Sequence, residues 1–285
     1  MFKLYTFIVF TFFISTVNYS FASDVSNSLL IFAGAASKPP TEEIAKAFEK
    51  SSGIKIEIIF GGSGFVLSQM LLAKKGDIYF PGSSDFMEIA KKKDVIFADS
   101  EKKVVYLVSS INVRHGNPKG IKTLDDLTKP GIKIAIARPD SVCVGAYAVE
   151  IIEKNLSAEK IKLLKNNIIN YTESCEKTAT AITLNMADAV IGWSVFKYWN
   201  PEMIETIPFN VKEIIRIAYI PIAISKFTKN QKLAQRFINF VLSPEGKTIF
   251  KKHHYFMEPS EAIEYIGASK PVGGEYIVPK NWIEN

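Results

Sequence analysis

Leu29-Leu30-Ile31-Phe32-Ala33-Gly34-Ala35-Ala36-Ser37, then Pro39-Pro40, Thr41 to Lys50, Ile54 to Phe60 and Gly61-Gly62-Ser63-Gly64, is the stretch on which the reading of this chain turns. The first apolar run reads as a buried strand, and Thr41 to Lys50 reads as a helix capped by Thr41. Ile54 to Phe60 is a second strand closed by Gly61-Gly62, and Ser63 to Ala73 has helical spacing. Asp77 to Phe80 is a short strand ending at Pro81-Gly82, after which Ser83 or Ser84 caps a helix through Lys93. Strand, helix, strand, helix with short Gly-rich and Ser-rich turns is the order of a parallel sheet flanked by helices.

Working outward, Lys103 to Ile111 is a longer β-branched run, and after His115-Gly116-Asn117-Pro118 the alternation restarts. Ile132 to Ala137, Ile168 to Tyr171 and Ala189 to Trp193 read as strands, with helices over Val144 to Lys154 and Glu176 to Leu184. Ile214 to Ser225 is another long extended run, and Gln231 to Leu242 is a helix stopped by Ser243-Pro244-Glu245-Gly246. The two long runs predict a pair of crossover strands between two α/β units, with the last helix packing back on the first. The expected fold class is therefore α/β with two lobes, each a mostly parallel sheet flanked by helices. The expected divisions are 23–107 for the first part of lobe one, 108–218 for lobe two, and 219–285 for the return and a C-terminal tail. The tail from Pro259 carries no signal that places it.

Met1-Phe2-Lys3, the apolar or hydroxylic Leu4 to Val17 and the small residues of Ser20-Phe21-Ala22 form a signal-peptide pattern over 1–22, with cleavage before Ser23. The other reading is an uncleaved anchor, which so short an apolar run serves poorly. The expected location is thus the periplasm. Removing Lys3 takes the formal charge from +6 to +5. Lys91-Lys92-Lys93 and Lys102-Lys103 are short runs of the kind found on solvated faces, so a nucleic-acid partner is not expected. Cys143 and Cys175 are the two cysteines, and an oxidising compartment permits a disulfide between them.

In an open parallel sheet, ligands bind beyond the carboxyl ends of the strands, where helix starts direct unpaired N–H groups at them. Three turns fit: Gly34-Ala35-Ala36-Ser37, Gly61-Gly62-Ser63-Gly64, and Asp140-Ser141-Val142-Cys143-Val144-Gly145. Small residues admit a ligand close to the backbone, and Ser37 and Ser63 add hydroxyl donors. Any one turn alone reads as an ordinary helix cap; three in one frame point to a shared anion cradle.

From about Leu29 to Phe250 the chain resembles the periplasmic molybdate- and tungstate-binding proteins of ABC transporters, the ModA-like family. The resemblance is carried by Phe32-Ala33-Gly34-Ala35-Ala36-Ser37, Ile44 to Glu49 with Gly53-Ile54-Lys55, Gly61-Gly62-Ser63-Gly64, Pro139 to Ala148 and Ala187-Asp188-Ala189-Val190-Ile191. It implies a type II-like periplasmic binding protein that is no enzyme, uses no cofactor, is monomeric and delivers an oxyanion to a membrane permease. It also implies Ser37 and Ser63 as hydroxyl donors facing the amides of Val144 and Cys175, with Ala36, Ser83 and Arg138 as further candidates. Trp193 stands where the family usually has Tyr; an indole N–H donates but does not accept, which suits a deprotonated anion. A core aromatic that touches no ligand is the other reading of Trp193. Because Val144 and Cys175 both fall at the implied site, Cys143 comes within reach of Cys175. Ser83, Ser84 or Asp85 in Phe80-Pro81-Gly82-Ser83-Ser84-Asp85 could enter the same cleft, where a carboxylate would oppose a charged anion; plain N-cap roles for Ser83 or Ser84 are the other, favoured reading.

A hydrolase is disfavoured because Gly61-Gly62-Ser63-Gly64-Phe65 lacks the final Gly of a nucleophile elbow and His115, His253 and His254 sit in or near turns. Adjacent His253-His254 reads as a solvated helix end rather than a metal site. A surface antigen or sensor for a phosphorylated or carboxylated metabolite would share the fold but use Arg or Lys on the charged group, which makes Arg138 the residue to watch.

Overall fold

The computed structural model describes residues 28–283; the expected leader lies outside them. The first sheet has β1 (Ser28–Gly34), β2 (Lys55–Gly61), β3 (Ile78–Phe80) and β4 (Lys102–Leu107), with helices α1 (Lys38–Ser52), α2 (Ser63–Ala73) and α3 (Ser84–Lys92) between them. The second has β5 (Ser109–Arg114), β6 (Ile134–Ala137), β7 (Ile168–Thr172), β8 (Ala189–Trp193) and β9 (Ile204–Pro208), with α4 (Cys143–Asn155), α5 (Ala158–Asn167), α6 (Cys175–Thr183) and the short α7 (Phe196–Trp199). The chain then returns as β10 (Ala218–Ile224) and ends in α8 (Gln231–Val241), α9 (Pro244–Lys252) and α10 (Pro259–Ile266).

The strand orders are β2-β1-β3-β10-β4 and β7-β6-β8-β5-β9. In each sheet four strands run one way; the odd strand, β10 or β5, is the one laid down on arrival from the other lobe. Register places the site. Gly34 is level with Gly61, and Ala33 with Phe80, so the turns after β1, β2 and β3 lie side by side. Ala137 is level with Thr172 in the second sheet, which puts the turns leading to α4 and α6 side by side as well.

One apolar cluster fills the first lobe and continues through Cys143, Val144, Tyr147, Cys175 and Trp193, so the lobes are closed on each other. A second cluster lies behind it, around Ile111, Ile134, Ile136 and Ile191. The segment 219–285 divides between them: α8 and α9 enter the first cluster, whereas Ala262, Ile266 and Trp282 enter the second. The chain therefore passes between lobes a third time, where Phe256 bridges Tyr106, and the expectation of two crossings is corrected.

Lys103 to Ile111 is not one strand. Leu107 pairs with Ala218 in the first sheet and Ser109 with Trp193 in the second, so the break at Val108 is a change of partner within a uniform β-branched run. The expected cap at Thr41 is also corrected: Pro39 and Pro40 sit inside the first turn of α1, where a missing N–H costs nothing, and Ser37 is the N-cap residue.

Candidate functional site

Five helices begin where the two lobes meet, and four of them lack a side-chain cap. α1 starts at Ser37, α2 at Gly62, α3 at Ser83 and α4 at Val142, none of which caps through its side chain. By contrast Ser157, Asn230 and Ser243 cap α5, α8 and α9, which start elsewhere, and Ser174 caps α6 through Lys177 N–H. Uncapped first turns leave N–H donors, and the positive end of the helix dipole, facing the cleft at α2, α3 and α4; α1 adds only its dipole, because Lys38 N already donates to Ala35 O and Pro39 and Pro40 have no N–H.

The candidate residues gather there. Ser37 and Ser63 are each 1% exposed. Thr41 Oγ1 donates to Ser37 Oγ at 3.1 Å, and Gly82 N donates to Ser63 Oγ at 2.9 Å. Both serines thus accept a bond and keep their own O–H to donate. Ala36 is fully buried, and its carbonyl accepts from Tyr255 Oη at 2.6 Å. Val144 is the second residue of α4 and Cys175 the first of α6, both buried. Trp193 is fully buried, edge-on to Tyr147 at 5.1 Å, and its Nε1 has no hydrogen-bond partner. A buried donor left unpaired costs about 1 to 3 kcal/mol, which marks the place for an acceptor. Ser109, level with Trp193 in the sheet, also has an unpartnered Oγ.

Cys143 and Cys175 meet, but the expected disulfide is not formed. Their sulfurs are 3.5 Å apart, against about 2.05 Å for a bond. Burial pushes the Cys143 thiol well up; the Cys175 sulfur adds to this, while the Val144 amide and the indole N–H of Trp193, which faces the sulfur without completing a hydrogen bond to it, work against it. Buried thiols with raised pKa values react slowly. A thiol reagent at about pH 8 should therefore leave the folded protein unmodified and label both cysteines once it is unfolded without reductant. An unfolded chain that takes up no label would show a bridge instead.

No cation stands free among these donors. Arg138 donates to Asp140 at 3.1 Å from a half-exposed position, and Lys38 pairs across the lobes with Glu176 at 2.8 Å. Asp85 does not enter the cradle; it binds Arg216 and accepts from Ser83 Oγ at 3.0 Å. Ser83 thus stands at the start of α3 without capping it. The cleft's mouth is a groove of about 1040 Å³ lined by Phe60, Gly62 and Phe65 from one lobe and Arg138, Ser141 and Glu176 from the other.

With this geometry in place, the profile of the bacterial extracellular solute-binding proteins matches residues 29–256. The chain belongs to that family. A Bacillus subtilis protein, YvgL, named as an ABC transporter substrate-binding lipoprotein, is 25% identical over 238 residues, covering 83% of this chain and 89% of its own. Among solved structures the sulfate-binding protein SubI from Mycobacterium tuberculosis superposes with a TM-score of 0.74 at 15% identity, covering 86% of this chain and 93% of that one. The Azotobacter vinelandii periplasmic molybdate-binding protein gives 0.68 at 16% identity, covering 81% and 99%. At these identities the likeness shows the two-lobed fold alone.

The two lobes touch directly at the cleft. Gly64 N donates to Ser141 O at 2.8 Å, and a Cβ on Gly82 would come within 2.5 Å of Cys143 Sγ. Sequence reasoning missed two residues at this junction. Tyr255, whose hydroxyl pKa is pushed well up by burial, lies in the stretch after α9 that carries no motif. Arg216 had a signal: it is the lone charge in the apolar run Ile214 to Ser225. His253 pairs with Glu43 at 2.8 Å while His254 stacks on Tyr198, so the two histidines serve different neighbours. Among the described residues no helix is long and apolar enough to cross a membrane.

Proposed function

We propose that this protein captures a tetrahedral oxyanion, molybdate or tungstate, between its lobes and delivers it to the permease of an ABC transporter. The observation that carries the reading is a buried, uncharged donor set. Ser37 and Ser63 keep their O–H groups, Trp193 keeps an N–H without a hydrogen-bond partner, the starts of α2, α3 and α4 are uncapped, and each nearby cation is tied to a carboxylate. The first-turn amides of Val144 and Cys175 complete the set from the second lobe. Likeness in fold to molybdate- and sulfate-binding proteins, and in sequence to a substrate-binding protein of an ABC transporter, supports the same reading.

Donors without a facing acceptor favour a fully deprotonated dianion. Hydrogen phosphate brings an O–H that Trp193 cannot receive, and it should bind less well. A thermal-shift panel of molybdate, tungstate, sulfate and phosphate tests this. Ligand at 100 times its dissociation constant stabilises by about 2.7 kcal/mol, so molybdate and tungstate should raise the melting temperature well above phosphate, with sulfate, equally deprotonated but smaller, as the size control. Equal shifts from all four, or none from any, would overturn the reading. The groove at the mouth supports a second one, in which the anion is the head of a phosphorylated or carboxylated metabolite and Arg138 leaves Asp140 to meet it. Phosphate alone raising the melting temperature would point that way.

A further inference from the structure

Arg216 is the single buried Arg or Lys among the described residues, 6% exposed, and the two buried carboxylates, Asp85 and Glu150, are both on it. Its Nη2 donates to Asp85 Oδ1 at 2.8 Å and its Nη1 to Asp85 Oδ2 at 3.2 Å, a two-pronged grip. Nε donates to Glu150 Oε2 at 2.6 Å, Nη1 to Tyr147 Oη at 2.9 Å and to the Gly274 carbonyl at 2.9 Å, and the guanidinium lies 3.8 Å from the Tyr147 ring centre. None of these groups belongs to the donor set proposed for the anion.

The partners divide by lobe. Glu150 and Tyr147 lie on α4, and Ile214 and Ile217 on either side of Arg216 pack in the second cluster, so Arg216 travels with the second lobe. Asp85 opens α3, whose Phe86 and Met87 pack in the first cluster. The tail crosses the same junction: Ser84 Oγ donates to Gly274 O at 2.8 Å and Tyr276 N to Asp85 Oδ1 at 3.0 Å, while Trp282 is anchored on Glu153 of α4.

We propose that Asp85 and Arg216 form a latch that holds the lobes closed and sets α3 against α4, two helices whose uncapped starts meet at the cleft. The fork between planar groups fixes distance and angle together, which a lone Lys–carboxylate contact at the surface does not. Arg216 is a positioning residue, acting through α3 and α4 on whatever the cleft holds. The latch rests on the reading that the lobes part to admit solute, but not on which anion enters.

Asp85→Asn is the test, because Glu150 still pairs Arg216 and no buried charge is stranded. Small-angle scattering without added anion should give the wild type the compact radius of gyration, about 18 Å for a chain of about 260 residues, and the variant a larger one. In stopped-flow mixing with molybdate the variant should associate faster, because its cleft stands open. Its affinity should be weaker by roughly 5- to 150-fold, since closure is no longer prepaid. A purely structural role would not speed association. Should Asp85→Asn lose cooperative melting, Arg216→Lys carries the same test, keeping the charge and losing the fork. An unchanged radius in the variant, or a wild type already expanded, overturns the latch. Absence of any binding alongside the expected radii would instead count against the proposed anion and leave the latch standing.

Discussion

Gly62→Ala should weaken anion binding by roughly 5- to 150-fold while the anion-free protein stays folded. Gly62 has φ −61° and ψ 141°, a conformation alanine adopts freely, so the first lobe does not resist the change. The added Cβ would lie 2.7 Å from two carbonyl oxygens, those of Ser141 and Glu173, and both are backbone atoms of the other lobe. Neither can swing aside as a side chain would. Overpacking of this kind costs about 1 to 3 kcal/mol, and all of it falls on the closed state. The neighbouring Gly64 is a poorer probe, because its Cβ would also strike Phe86 within its own lobe. Calorimetry with molybdate, with a melting curve as the control, reads the effect. Affinity equal to the wild type would mean that the lobes do not close this tightly around the ligand.

Ser63→Ala carries the second large effect. The hydroxyl is held by the Gly82 amide at 2.9 Å and keeps its own hydrogen for an acceptor in the cleft. A hydrogen bond to a charged partner is worth about 1.5 to 3 kcal/mol, so affinity should fall roughly 10- to 150-fold. The same change strands the Gly82 N–H and should lower stability by about 1 to 3 kcal/mol without anion. A loss of stability with unchanged affinity would make Ser63 a brace for the Gly82 turn and no more.

The turns of the cradle were legible because chemistry and local structure coincide in them. Gly34 to Ser37, Gly61 to Gly64 and Asp140 to Gly145 each follow a short apolar strand with small residues, and each opens a helix in the structure or leads directly into one. Trp193 was legible as a position, at the end of a five-residue apolar strand, but its unpaired N–H shows only once β5 and the rest of the core enclose it. What escaped depends on pairing across the fold. The change of partner at Val108 leaves no mark in a run of β-branched residues. Helix α5 is half Lys and Asn in composition and shows mainly through its Ser157 cap. Ser243-Pro244-Glu245-Gly246 reads equally as a stop and as a start; here Ser243 caps α9 with Pro244 at its first position, beginning a helix that sequence reasoning ended. Arg216 stood out as a charge in an apolar run, yet its partners come from positions 131, 66 and 58 residues away. The tail's own helix, α10 with its Glu258–Glu261 capping box, is local, but where the tail sits depends on contacts to both lobes through Gly274, Tyr276 and Trp282.

The neutrality of the donor set is the central claim, and a titration of the purified protein with molybdate at several pH values tests it most directly. Ser37, Ser63, Trp193 and the helix amides do not titrate in the neutral range, and burial keeps the Cys143 thiol protonated above the usual thiol pKa of about 8.5. One-to-one binding should therefore appear with an affinity that is flat from about pH 6 to about pH 9 and without proton uptake. An affinity that climbs as the pH falls would reveal a cationic group or a protonated ligand in the cleft, and the account of an uncharged cradle would be wrong.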